Sequence, residues 1–411
     1  MPDEQEVVIT GLGAVTPLGT DVPSLWEALV AGRSGIGPIT AFDASAFPSR
    51  IAGEVRDYQP HPSLQPQEAA RLDRGALFAI DAALQALADS GLALDFDNAA
   101  YAGLVLGSAR PGDTSVWRGQ QAFHDRGPEG VSAGYLGRTL ANAPAAQVAG
   151  ALGVRGPALA VSAGGASGTA ALAVAAEMIR SGQVQVAFAG GADAAITPPT
   201  LATFCAMQLL STRNDDPARA SRPFDADADG MALAEGAAVV VLESAALARQ
   251  RGARVYARLA GAASVTEPGA ATPRLEEAGR AMQAALRQPA LLQGEIDYFC
   301  AYACASLDLD RMESDAIKRI FGAVTASKLT ISAPKSMLGH MLGASGGVDA
   351  IVCAKAIESG VVPPTINLER PAEGCDLDYT PREARRLPVR NAMCYAYGFG
   401  GHHVALCFSA P

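Results

Sequence analysis

Thiols, imidazoles and glycine-rich turns are the groups from which this 411-residue chain could build chemistry. Its seven cysteines, Cys205, Cys300, Cys304, Cys353, Cys375, Cys394 and Cys407, form an odd, scattered set with no CxxC pair. That is the pattern of reduced thiols in a cytoplasmic protein. Cys300 and Cys304 flank Tyr302, but nothing beside them in the sequence depresses a thiol pKa, so they read as structural. The five histidines contain no HExxH spacing, which leaves no zinc motif. His402 and His403 are adjacent, and neighbouring side chains of an extended strand point to opposite sides, so the two do not converge on one metal. Glycines cluster at Gly11-Leu12-Gly13, Gly190-Gly191 and Gly398-Phe399-Gly400-Gly401, read as strand ends, where open α/β sheets place their ligands. None of these clusters matches GxxxxGK[ST], so a phosphate loop is not among them.

The elements that must position these groups alternate in type. Short β-branched or apolar runs at residues 6–10, 158–161, 184–190, 239–243, 296–301, 328–332 and 392–395 are interleaved with alanine-rich helical stretches such as 22–31, 167–181 and 245–251, the grammar of a layered α/β protein. Hydrophobic residues make up 49% and charged residues 18%, enough apolar burial to offset the ordering entropy and exclude disorder. A net charge of -10 argues against nucleic acid or an anionic membrane as a partner. No apolar run reaches the roughly 20 residues that cross a bilayer, and the polar, acidic start at Met1 to Glu6 lacks the pattern of a signal peptide, so a cytoplasmic location is expected. A length suggesting two or three units of about 150 residues is not divided by any Pro-, Ser- or charge-rich linker. The best internal boundary falls near residues 254–263, dividing the chain into 1–257 and 258–411. Both parts carry a strand, a glycine-rich turn and a small-residue helix, around 161–173 and 331–350, which suggests a duplicated fold.

Longer motifs carry a family resemblance. The opening Val8-Ile9-Thr10-Gly11-Leu12-Gly13-Ala14-Val15-Thr16-Pro17-Leu18-Gly19 resembles the start of the β-ketoacyl-acyl-carrier-protein synthase II family. Leu210-Ser211-Thr212-Arg213-Asn214-Asp215, Ser221-Arg222-Pro223-Phe224-Asp225, Pro334-Lys335-Ser336-Met337-Leu338-Gly339-His340, Val362-Pro363-Pro364-Thr365-Ile366-Asn367-Leu368 and the turn at residues 398–401 match further landmarks in order. The resemblance implies the thiolase fold, two similar βαβαβαββ halves in five layers, and no cofactor. It also places a nucleophilic cysteine at a helix N-terminus, where dipole and backbone N–H groups favour the thiolate. Here that position is Gly165, and no cysteine lies between Ile9 and Cys205. Condensation by this chain alone is therefore expected to be absent. Ser162 and Ser167 stand nearby, but neither has an evident base, and Ser167 matches a serine the family already carries.

Two further departures follow from the same resemblance. Of the two histidines that hold the malonyl thioester carbonyl in the family, the first is replaced by Tyr302 and the second is kept as His340. A phenol donates one hydrogen bond but is no cation near neutrality, so enolate stabilisation is weakened. Lys335 is retained, and Glu313 corresponds to its usual acidic partner. Phe399 matches a pocket gate, but the Thr-Asn that usually follows is His402-His403. A synthase-like chain without its cysteine resembles the chain-length-factor subunit of type II polyketide synthases. That resemblance implies a heterodimer with a cysteine-bearing ketosynthase, contact with acyl carrier protein through the complex, and an acyl channel at the interface that limits product length. Chain-length factors of aromatic pathways often carry glutamine at the cysteine position, from which Gly165 departs; retention of Lys335 and His340, with closeness to the fatty-acid synthase II pattern, suggests instead a resemblance to the highly reducing systems that make polyenes. Leu140, Ala141 and Ala143, ahead of Gly156-Pro157, are expected at or near the channel end. The alternatives are a stand-alone malonyl-carrier-protein decarboxylase, disfavoured by Gly165 with Tyr302, and an acyltransferase using another nucleophile, for which no triad is evident.

Overall fold

A computed structural model describes residues 6–95, 98–269, 273–288 and 291–411. Most of the acidic start lies outside the described residues. Ten strands make one mixed sheet: β1 (Val7–Val15), β2 (Ala102–Gly107), β3 (Ala158–Val161), β4 (Val186–Asp193), β5 (Gly236–Ser244), β6 (Ala257–Thr266), β7 (Tyr298–Cys300), β8 (Thr330–Ser332), β9 (Asn391–Gly398) and β10 (His402–Ser409). Their spatial order is β8-β7-β9-β10-β6-β1-β5-β4-β2-β3. Read outward from the centre, β1-β5-β4-β2-β3 and β6-β10-β9-β7-β8 are the same arrangement, with two antiparallel pairings followed by two parallel ones in each half. The suggested duplication is thus present strand by strand. The halves meet where β1 pairs with β6 over Val8 to Arg258 and Ile9 to Ala257.

Helices complete five layers. In chain order the principal ones are α1 (Val22–Val30), α2 (Arg74–Ser90), α3 (Asp113–Arg126), α4 (Ala143–Leu152), α5 (Ser167–Arg180), α6 (Leu275–Arg287), α7 (Leu307–Phe321) and α8 (Ser345–Ser359). The central layer is α5 against α8, each also packed on strands of both halves. Both are rich in Ala and Gly and buried along most of their length, because two helices between the two halves of the sheet have no solvent face. Outside them, α2 covers β1, β5 and β4, and α6 covers β6 and β10. Asp21 caps α1 by accepting from Ser24 N–H, and Gly91 ends α2 in the left-handed conformation at φ 62°.

The glycine clusters near the N-terminus do not end strands, as the sequence reading expected. β1 runs through Gly11 and Gly13, where a Cβ would lie 2.1 Å from the Ala86 carbonyl oxygen and 1.9 Å from that of Ala82. β4 likewise continues through Gly190-Gly191, and a Cβ on Gly191 would lie 2.1 Å from the carbonyl oxygen of Gly343. Close approach of another backbone, not turning, requires these glycines. The third cluster is a turn, joining β9 to β10.

Candidate functional site

The two repeated strand-turn-helix units converge on one cavity. From the first half, β3 leads through residues 162–166 into α5 and presents Gly164 and Gly165; from the second, the loop after β7 carries Tyr302, and the turn after the short helix Lys335–Leu338 carries His340. The cavity measures about 230 Å3 and is walled by Phe204, Leu209, Met231, Leu309, Leu342 and Phe399. A Cβ built on Gly165 would lie 3.2 Å from His340 Cε1 and 3.3 Å from the Tyr302 hydroxyl. The position expected to hold the nucleophile therefore faces both residues expected to act on substrate, and holds no reactive group.

Ser167, the substitute considered for that role, is committed elsewhere. Fully buried, its Oγ accepts from Ala163 N–H at 2.9 Å and donates to the Gly164 carbonyl at 2.6 Å, fastening the turn that precedes α5. Cys304 does line the cavity, but burial, reinforced by Asp310, pushes its thiol pKa far up, the reverse of an activated cysteine. Burial also raises the Cys300 thiol.

Tyr302 and His340 bond to each other, with the phenolic oxygen 3.0 Å from Nε2. The Leu342 backbone N–H donates to Nδ1 at 3.0 Å, so Nδ1 is bare and Nε2 carries the proton. Burial, aided by the positive charge of Lys335, lowers the His340 pKa to about 3, which keeps the ring neutral in this tautomer. Nε2–H therefore donates to the Tyr302 oxygen. Lys335 sits 5.1 Å from the centre of the Tyr302 ring. Its ion pair is with Asp349 on α8, at 3.3 Å and fully buried, and not with Glu313 as the sequence reading expected. The Glu313 carboxylate is taken instead by the backbone N–H groups of Tyr302 and Ala303, at 2.8 and 2.9 Å, because α7 lies under the loop that follows β7. Burial, against the pull of these donors, raises the Glu313 pKa to about 8.

Phe399 stands about half exposed at the cavity, its ring 6.5 Å from that of Phe204. Beyond it the adjacent histidines do face opposite ways: His403 is buried and His402 partly exposed. The Tyr395 hydroxyl lies 2.7 Å from His403 Nδ1, and Nε2 lies 3.1 Å from Glu267. Sequence reasoning missed this chain. It also missed Asp193, whose buried carboxylate accepts from Ser108 Oγ and from the Ala109, Arg110 and Gly343 N–H groups, tying the two halves together under the cavity. The signal for Asp349 was available: an acidic residue inside an otherwise apolar helix requires a buried partner. Leu140, Ala141 and Ala143 stand apart from the cavity. Leu140 and Ala141 are exposed and Ala143 is buried at the start of α4, which packs along the edge strand β3. Among the described residues no cluster could hold a metal ion and no helix is long and apolar enough to cross a membrane.

Comparison with known proteins agrees with this architecture. The model of the β-ketoacyl synthase N-terminal domain matches residues 4–248 and that of the C-terminal domain residues 256–369. The chain belongs to the β-ketoacyl synthase family. It is 39% identical over 413 residues to 3-oxoacyl-[acyl-carrier-protein] synthase 2 of Coxiella burnetii, covering 99% of both chains. Among solved structures it resembles the ishigamide ketosynthase/chain length factor, with a TM-score of 0.92 and 32% identity over 99% of each chain. It is also similar to a type II polyketide ketosynthase solved in complex with its acyl-carrier protein, with a TM-score of 0.90 and 29% identity over 99% of each chain. The thiolase-type fold of this family is therefore shared across the chain.

Proposed function

We propose that this β-ketoacyl synthase family protein does not condense acyl chains itself but serves as a chain-length-factor-like subunit that pairs with a cysteine-bearing ketosynthase. The observation that carries this reading is the missing nucleophile. Gly165 offers no atom to accept an acyl group, and the His340 Nε2–H is spent on the Tyr302 oxygen. A synthase needs a covalent acyl-enzyme and donors free to meet the developing oxyanion. A malonyl decarboxylase needs the second of these as well, which disfavours that alternative.

The surface beside β3 supports pairing. Ala158, Leu159 and Ala160 are exposed on this edge strand, and Leu136 and Leu140 are exposed on the adjoining segment. Exposed apolar residues on a sheet edge favour burial against another chain. With Leu140, Ala141 and Ala143 on the same side, an acyl channel formed with a ketosynthase would end near these small residues, and a polyene product fits a channel left open. The test is co-purification with a cysteine-bearing ketosynthase, followed by elongation assays with acyl carrier protein. A stable heterodimer that elongates is expected, with Ala143→Phe shortening the products. A chain that forms only homodimers and decarboxylates malonyl-carrier protein would overturn the reading, and unchanged product length with an intact heterodimer would remove Ala143 from the channel.

A further inference from the structure

A second hollow lies away from the cavity described above. The cavity stands before the N-terminal end of α8, where Leu342 lines it. A groove of about 920 Å3 opens near the other end of that helix, at Lys355, and the two share no lining residue. The groove is walled by α1 and the last turn of α2 from the first half, and by Lys355, Val361 and Arg386 from the second. At its base are Leu12 of β1 and Tyr256, which line it although they are only 2% and 5% exposed, so the base is narrow. Trp26 packs one side of its ring on the core and stands partly exposed in the wall.

The charges around this groove do not balance within the protein. Six charged residues line it, and five are held. Asp21 caps α1, Glu27 pairs with Arg33 at 3.1 Å, and Asp89 accepts from the Tyr256 hydroxyl and the Leu12 N–H, both at 2.9 Å. Arg254 and Lys355 share the Glu358 carboxylate. The sixth, Arg386, is exposed, and its side chain has no partner among the described residues. A free guanidinium at the mouth of an apolar groove fits a carboxylate, which it meets with two parallel N–H bonds. The volume lies within the roughly 300–1,000 Å3 of small-molecule sites, and an apolar lining with few polar groups is their usual make-up. A helix of a partner, about 10–12 Å across with its side chains, does not reach a base this enclosed. A flat ring system does, and it stacks on an indole.

We propose that this groove binds a small aryl carboxylate of fused rings, its flat body against the Trp26 indole and its carboxylate on the Arg386 guanidinium. The site lies outside the cavity beside Gly165, and it depends neither on the missing nucleophile nor on pairing with a ketosynthase.

Calorimetric titration of the full chain with 2-naphthoate, and with the uncharged 2-naphthalenemethanol, tests it. The acid is expected to bind saturably at one site, and the alcohol about three- to tenfold more weakly, as for loss of a partly solvated ion pair. In Arg386→Gln the two ligands should bind alike, with the affinity of the alcohol unchanged, which isolates the contact as a double-mutant cycle does. Trp26→Leu should weaken both ligands equally, by about two- to tenfold, as for loss of aromatic stacking. Ala88→Phe, at an exposed position of α2 that lines the groove, should abolish binding of both while the urea midpoint stays where it was. Absence of saturable binding, equal affinity of acid and alcohol for the unaltered chain, or decanoate binding as tightly as 2-naphthoate would each overturn the proposal. So would undiminished binding of 2-naphthoate in Arg386→Gln or in Ala88→Phe, which would place the acid elsewhere on the protein.

Discussion

Restoring cysteine at position 165 should not by itself restore a working nucleophile. In Gly165→Cys the new Cβ would meet the Tyr397 carbonyl oxygen at 2.9 Å, His340 Cε1 at 3.2 Å and the Tyr302 hydroxyl at 3.3 Å. The first contact cannot relax cheaply, because Tyr397 is fixed in the ladder opposite His403. Overpacking of this kind costs about 1–3 kcal/mol. The sulfur would then compete with Tyr302 for the space beside His340. Adding Tyr302→His removes that competition, supplies a second imidazole and leaves the thiol at the N-terminal end of α5, where the dipole favours the thiolate. A lowering of the thiol pKa by one unit would raise alkylation near neutral pH by up to about tenfold. Peptide mass spectrometry of iodoacetamide-treated protein reports the introduced thiol separately from the seven native ones, and urea unfolding reports stability. Gly165→Cys should unfold at lower urea than the parent and alkylate slowly; the double variant should recover part of the stability and alkylate about tenfold faster. Equal alkylation of the two variants, with Gly165→Cys as stable as the parent, would refute the reasoning that Tyr302 and Gly165 are sterically coupled.

Other perturbations test the surrounding network. His403→Ala leaves Tyr395 and Glu267 buried without their shared partner and should cost about 2–4 kcal/mol in urea unfolding. Lys335→Met strands the Asp349 carboxylate at a cost of about 3–5 kcal/mol; adding Asp349→Leu should restore most of it, since an apolar pair replaces a buried ion pair well. The pH dependence of stability should carry the signature of His340. Its folded pKa, about 3, lies below the ordinary 6.5, so as pH falls below 6.5 the unfolded chain takes up the proton first and the contribution present at neutral pH is progressively lost. The stability difference between the parent and His340→Gln should therefore shrink by about 2–3 kcal/mol between pH 7 and pH 4.5. A difference independent of pH would mean that His340 binds its proton alike in the folded and unfolded states, and would refute the reading.

Much of the fold was legible because its signals are local. The runs at 158–161 and 167–181 became β3 and α5 almost residue for residue, since β-branched and apolar runs against alanine-rich stretches depend little on distant context. Strand lengths were less legible. β1 and β4 extend past glycines that looked like stops. In the glycine cases a neighbouring backbone explains the residue, and its approach is invisible in a one-dimensional pattern.

By itself the sequence determined what is absent. No cysteine stands before Cys205, and a glycine occupies the nucleophile's position; a side chain that is not encoded cannot be supplied by folding. Only the tertiary structure decided what the remaining groups do with one another. Tyr302 and His340, 38 residues apart, meet at 3.0 Å, Lys335 takes Asp349 in place of Glu313, and the Leu342 N–H fixes which imidazole nitrogen carries the proton. Such partnerships depend on where two repeated halves bring their loops together, and a hydrogen bond is made or lost within less than an ångström, finer than any pattern of residue types can specify.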